Sequence, residues 1–184
     1  FVARRVGARP PSVPAGHPRL LLDRARVAEV RERLDSTHRF LWERYLQDLP
    51  HMVAVSNREA PLDNARYDGD LVPELAFAWL MTGRRDLLDV AKAQLLRLAT
   101  DEAWSSDEDL AYLVPGHYIL GMALGYDWLY EVLSRPERAT VAARLSREAE
   151  AQFRRITRER AWWRNQYFQN HSHSNTAALA FAAA

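Results

Sequence analysis

The chain has 184 residues, 48% hydrophobic and 27% charged, with a formal net charge of +1. That length supports one domain with a real core, and the charge balance gives no bulk electrostatic case for nucleic acid or a membrane surface. The absence of cysteine excludes disulfides and thiolate metal sites and leaves the redox compartment open. The uncharged runs are too short for a membrane span, and the apolar C-terminal run stops before it qualifies. The start, Phe1-Val2-Ala3-Arg4-Arg5, lacks Met and any signal-peptide pattern, as expected of a processed or trimmed terminus.

Residues 1–18 carry Pro10, Pro11, Pro14 and Pro18 with Gly7 and Gly16, which predicts an extended lead-in to a domain over 19–184. Asp23 is placed to cap a helix over 23–34 with Val27, Val30 and Leu34 on one face. A second helix starts at Ser36 or Thr37, uses Phe40, Leu41, Tyr45 and Leu49 as its apolar stripe and ends at Pro50. Residues 51–70 are mixed and polar and read as a loop reaching over a cleft. Tyr67 and Asp68 there are either ligand contacts or ordinary loop residues.

The run 71–81 predicts a strongly apolar helix, closed by Thr82-Gly83 with Gly83 as a left-handed cap. An amphipathic partner over 86–99 follows, making a helical hairpin. Ser105 and Glu108 have capping-box spacing after a turn holding Trp104, and Pro115-Gly116 interrupts the apolar run that follows. A long helix over 117–133 has Gly121 and Gly125 four apart, which permits close helix approach. His117 and Tyr118 at its start either face a cleft or are satisfied helix-start residues. Ser134-Arg135-Pro136-Glu137 is a second capping box, opening an outer helix to about residue 160 with Val141, Leu145, Ala149, Phe153 and Ile156 as its stripe.

No segment alternates at period two for long enough to make a strand. The predicted class is all-α, with apolar inner helices alternating with amphipathic outer ones, as in hairpins wound into a toroid or solenoid. A repeat of fixed length is absent, which weakens a tetratricopeptide array.

The polar residues gather near the C-terminus, in Trp162-Trp163-Arg164-Asn165-Gln166-Tyr167-Phe168-Gln169-Asn170-His171-Ser172-His173-Ser174-Asn175, just before an apolar helical run. On one helix over 168–184, Asn170 shares a face with His173 and Ser174, and His171 shares the next face with Asn175. Such a turn can offer a ligand an amide, imidazoles and a hydroxyl; it can also be a capped, solvated helix start. Trp162, Trp163 and Arg164 can stack on sugar rings and pair with anions, or the rings can pack in the core. His171 and His173, two apart, are poorly spaced for one metal ion. The helix shows no polar face over its last residues and no terminating Gly, Asn or Pro, which predicts further neighbours and a longer protein.

Three stretches resemble the heparinase II/III-like polysaccharide lyases. His17-Pro18-Arg19-Leu20-Leu21-Leu22 resembles the family's entry to its N-terminal domain. Ala123-Leu124-Gly125-Tyr126-Asp127-Trp128-Leu129-Tyr130 resembles one of its helix ends, and Asn170-His171 its active-site pair. The resemblance implies an incomplete (α/α) toroid followed by a β-sandwich, in a secreted or periplasmic enzyme. It implies β-elimination on a uronic-acid-containing polysaccharide, with glycosaminoglycan lyases and dermatan sulfate epimerases fitting better than alginate lyases.

In that chemistry Asn170 neutralises the uronate carboxylate, and His171 shares that role or acts as base at C5. His173, Arg164, Trp163, Tyr167, His117 and Tyr118 are the expected substrate contacts, and His173 competes with His171 as the working imidazole. The family's Tyr and further His come later in such chains, so this segment alone is expected to be inactive. No cofactor is expected here; a structural divalent metal, if there is one, belongs beyond residue 184. The expected partner is an acidic polysaccharide, with no nucleic acid and no membrane, and the oligomeric state is open. The strongest expectation is that Asn170 and His171 point into a sugar-sized hollow. The competing classes are a non-catalytic helical-repeat module that binds protein, and a glycoside hydrolase using Asp68, Asp70 or Asp127.

Overall fold

The computed structural model describes residues 16–60, 64–101, 104, 113–159 and 161–184. Among these it is all-helical, with no strand. The helices are α1 (Arg24–Leu34), α2 (Arg39–Ser56), α3 (Tyr67–Thr82), α4 (Arg85–Thr100), α5 (Val114–Trp128), α6 (Arg135–Thr157) and α7 (Asn170–Ala183), with a short 3-10 turn at Tyr130–Val132. The expected box between Ser105 and Glu108, and most of the lead-in, lie outside the described residues.

Local chemistry sets most helix ends. The Asp23 side chain accepts from the Arg26 N–H and starts α1. Gly83, at φ 70°, closes α3 in the left-handed region and turns the chain into α4, as expected of a residue without Cβ. Ser134 and Glu137 form the full capping box of α6.

Three boundaries differ from the sequence reading. Helix α2 runs through Pro50 to Ser56, because Leu49 and Val55 on either side of the proline are both buried and hold the two halves in place. Its inward face is Trp42, Tyr45, Leu46 and Leu49, while Phe40 and Leu41 point outward. Helix α3 begins at Tyr67, so Tyr67 and Asp68 belong to its first turn and not to a loop. Helix α5 begins at Val114, with Pro115 in the first turn where its missing N–H is not needed.

The helices lie in two layers. In the first, α3 packs on α5 and α5 on α7; in the second, α2 neighbours α4 and α4 neighbours α6. The pairings give the directions. Gly69 lies against His117 and Tyr118, and Val72 against Gly125, so α3 and α5 run the same way. Gly116 lies against Asn175 while Ala123 and Asp127 share a hollow with Phe181 and Ala182, so α5 and α7 also run the same way. The N-terminal ends of three neighbouring helices therefore open on one side of the layer.

Close packing between α3 and α5 depends on glycine. A Cβ on Gly69 would stand 2.7 Å from the His117 carbonyl carbon, and one on Gly121 would overlap the Gly69 carbonyl oxygen. The expected close approach is real, and its partner is α3. Between the layers sits a core of Leu75, Leu87, Leu95, Leu98, Ile119 and Met122, all fully buried.

The polar group buried under this core is Asp68. It bonds Arg58 at 2.9 Å, Arg97 at 2.9 Å and the Gln94 amide at 3.1 Å. Burial pushes its carboxyl up, but the bonds from Arg58, Arg97 and Gln94 outweigh that and leave it below the ordinary carboxylate range. Asp68 is thus a structural ion-pair centre, not a ligand contact.

The entry segment is held by one carboxylate. Asp127, at the end of α5, accepts from the Arg19 and Leu20 N–H groups, each at 2.8 Å, and bonds His17 Nδ1 at 2.5 Å. The His17 ring stacks on Tyr130 at 3.8 Å, and the Trp128 indole donates to the Leu20 carbonyl at 2.9 Å. The two longer stretches that carry the family resemblance are therefore the two halves of one clamp.

Candidate functional site

The link from α6 to α7 is a series of tight turns over residues 161–169, each closed by a backbone bond such as Arg164 N–H to Ala161 O at 3.0 Å and Gln166 N–H to Trp163 O at 2.9 Å. This winding turns Ala161 and Trp163 inward. Trp163 is 0% exposed, whereas Trp162, Tyr167 and Phe168 face outward. Trp163, expected as a sugar platform, is fully buried, its ring stacked 6.3 Å from that of His171. Trp162 is the ring that stays available.

Helix α7 then starts at Asn170 after Gln169, which makes no side-chain cap. The Ser172 N–H bonds the Gln169 carbonyl at 3.1 Å, and no side chain caps the N–H groups before it at the positive end of the dipole. Asn170 is exposed and His171 half-buried. The His171 ring lies 5.3 Å from Trp162 and 6.3 Å from Trp163, and its Nδ1 is buried without a hydrogen-bond partner. His173 is exposed, and its Nδ1 lies 3.1 Å from the Gln169 carbonyl. Arg164 is half-buried beside this turn.

Beneath this end the helix is pinned by a buried amide that the sequence reading counted only as part of the polar cluster. Asn175, 0% exposed, donates to the His171 carbonyl at 2.8 Å and accepts from the Gln152 amide at 2.6 Å. Gln152 in turn accepts from Arg155 at 3.1 Å. This pair replaces the apolar contact expected from Phe153, which is 58% exposed. A Cβ at Gly116 would come within 2.5 Å of the Asn175 oxygen, so Asn175 also joins α7 to the start of α5.

At that start His117 Nδ1 bonds Asp70 on α3 at 2.7 Å. Both groups keep part of their surface in solvent. Tyr118, by contrast, is buried against Trp104, and burial, then the charge of Asp68, pushes its phenol up to about 12. It is a core residue.

One turn along α3 from Asp70 lies Glu74. Burial, then the Asp70 charge, pushes its carboxyl up to about 7. A raised folded-state value means stability is fully present below the ordinary glutamate range and is lost as pH rises through about 7. Glu74→Gln is therefore expected to leave thermal stability unchanged below the ordinary glutamate range and to raise it above neutrality; an unchanged melting temperature on the alkaline side would contradict this. An acid at each of two successive turns of an otherwise apolar helix was the sequence signal for Asp70 and Glu74.

The expected hollow lies elsewhere. A cavity of about 450 Å³ opens between α5, α6, α7 and the entry segment, lined by Leu145, Phe153, Leu179, Phe181 and Asp127 among others. It sits at the C-terminal ends of α5 and α7, away from Asn170 and His171, neither of which lines it. Asn170 instead stands open to solvent because the uncapped helix start projects past Asn175.

Among the described residues no cluster of three or more His, Cys, Asp or Glu is arranged to hold a metal, and no helix is long and apolar enough to cross a membrane. The structure thus brings Asn170, His171, His173, Arg164 and Trp162 to one end of α7, and joins His117 and Asp70 to that end through Gly116 and Asn175. Trp163 lies at the same end but is buried, and Tyr118 and Asp68 are buried as well. No known protein-family model matches the chain.

Proposed function

We propose that this chain is the N-terminal toroid portion of a polysaccharide lyase that cleaves uronic-acid-containing polysaccharide by β-elimination, a glycosaminoglycan by preference and alginate second. The observation that carries this is the uncapped start of α7, where the Asn170 amide and the His171 imidazole stand side by side with Arg164 close in sequence. In β-elimination the C5 proton leaves a carbon beside a carboxylate, and charge builds on the carboxylate oxygens. Donors fixed at those oxygens lower the barrier because they need no reorganisation as the charge appears. An amide, an imidazole N–H and open helix N–H groups are such donors.

Two further features support the reading. Side-by-side inner helices with their starts at one end, backed by an outer layer, are what an incomplete (α/α) toroid requires. Of the three acids named for a glycoside hydrolase, Asp68 and Asp127 are already committed to buried bonds.

The full-length protein, incubated with glycosaminoglycans and with alginate, is expected to release products that absorb as unsaturated uronates. Depolymerisation without that absorbance, or none on any of these polymers, would contradict the proposal. The competing reading as a helical module that docks a protein is favoured by one observation, the apolar cavity beside Phe153 and Phe181.

A further inference from the structure

His117 and His171 present opposite ring nitrogens to their surroundings. His117 Nδ1 lies 2.7 Å from Asp70 Oδ1, and a carboxylate only accepts, so Nδ1 carries the proton. In the neutral ring Nε2 is then a bare lone pair, on a side chain that keeps part of its surface in solvent. His171 is the reverse. Its Nδ1 is buried with nothing to bond, and a buried N–H without an acceptor is the rarer and costlier state. The proton therefore sits on Nε2, which makes that nitrogen a donor. The two residues are joined through one amide: Asn175 donates to the His171 carbonyl and abuts Gly116, the neighbour of His117.

We propose that His117, oriented by Asp70, is the proton acceptor of this site, complementary to the donors at Asn170 and His171. This rests on the lyase reading above. In the step, the C5–H bond breaks and its proton goes to His117 Nε2. The electron pair of that bond forms the C4–C5 double bond, and the C4–O bond breaks with its pair on oxygen, which takes a proton from water; the hydroxide left then takes the proton from His117 Nε2 and restores the neutral ring. Asp70 is a positioning residue: it fixes the ring and stabilises the imidazolium that forms.

The first test needs no substrate. Multiple-bond nitrogen–proton correlation spectra of the histidine-labelled chain, taken at about pH 8, above the ordinary imidazole range, should show the proton on Nδ1 of His117 and on Nε2 of His171. In Asp70→Ala the His117 proton should move toward Nε2, with His171 unchanged. A wild-type His117 protonated on Nε2, or an Asp70→Ala spectrum identical to wild type, overturns the assignment. In the full-length protein, His117→Gln should lower kcat by about 10²–10⁴-fold with KM little changed. Unsaturated product at the wild-type rate from His117→Gln overturns the base assignment alone. No unsaturated product from wild type on any uronate polymer overturns both this and the lyase reading.

Discussion

Replacing Asn170 with alanine in the full-length protein is expected to lower kcat by about 10²–10³-fold, the usual cost of removing one donor from a developing oxyanion, while thermal unfolding stays where it was. The separation of the two effects follows from the structure. Asn170 is exposed, and its side chain makes no hydrogen bond among the described residues. Truncating it removes nothing that holds the fold, and such surface changes stay within about 0.5 kcal/mol. His171→Ala should behave differently. It also lowers turnover, but it removes a ring packed against Trp162 and Trp163, so a stability loss of about 0.5–1.5 kcal/mol accompanies it. Turnover assays and melting curves on the two variants check this. A loss of less than tenfold in kcat for Asn170→Ala would mean that the amide does not meet the developing charge.

The second large effect is on folding. Asp127→Ala should destabilise the protein by about 3–5 kcal/mol, the range for removing one member of a buried, hydrogen-bonded charged set. In a chain of this size that is a fall in melting temperature of about 10 °C. The carboxylate is 2% exposed and accepts three bonds at once, from His17 and from two backbone N–H groups. Without it those N–H groups lose their acceptor where water cannot easily replace it. Asp127→Asn keeps one oxygen and should lose less. A melting temperature within a degree or two of wild type for Asp127→Ala would show that the entry segment is not held by this residue.

Much of the fold was legible because it is written in local chemistry. Asp23, Gly83 and the Ser134–Glu137 box each act on the turn they sit in, and a reader of the chain can see them. What was not legible depends on partners distant in sequence. Pro50 reads as a stop, but burial of Leu49 and Val55 carries α2 past it. Asp68 reads as a loop acid until Arg97, 29 residues on, is known to face it. Phe153 fits an apolar stripe, yet the Gln152–Asn175 pair takes the interior position.

The site divides the same way. The crowding of Asn170, His171 and Trp162 at a helix start was visible in the order of residues. The inward turn of Trp163, the Asp70–His117 pair and the position of the cavity at the other end of α7 required the packing of α3, α5 and α7 to be known. The glycines at 69 and 121 set that packing, and only Gly121 was recognised from its spacing.

Binding of a defined uronic-acid oligosaccharide, followed through backbone amide resonances of the labelled chain, tests whether the starts of α5 and α7 form the sugar site. Shifts are expected to be confined to those helix starts, around His117, Asn170, His171 and His173. Shifts around Phe153, Leu179 and Phe181 with none at Asn170 would contradict it.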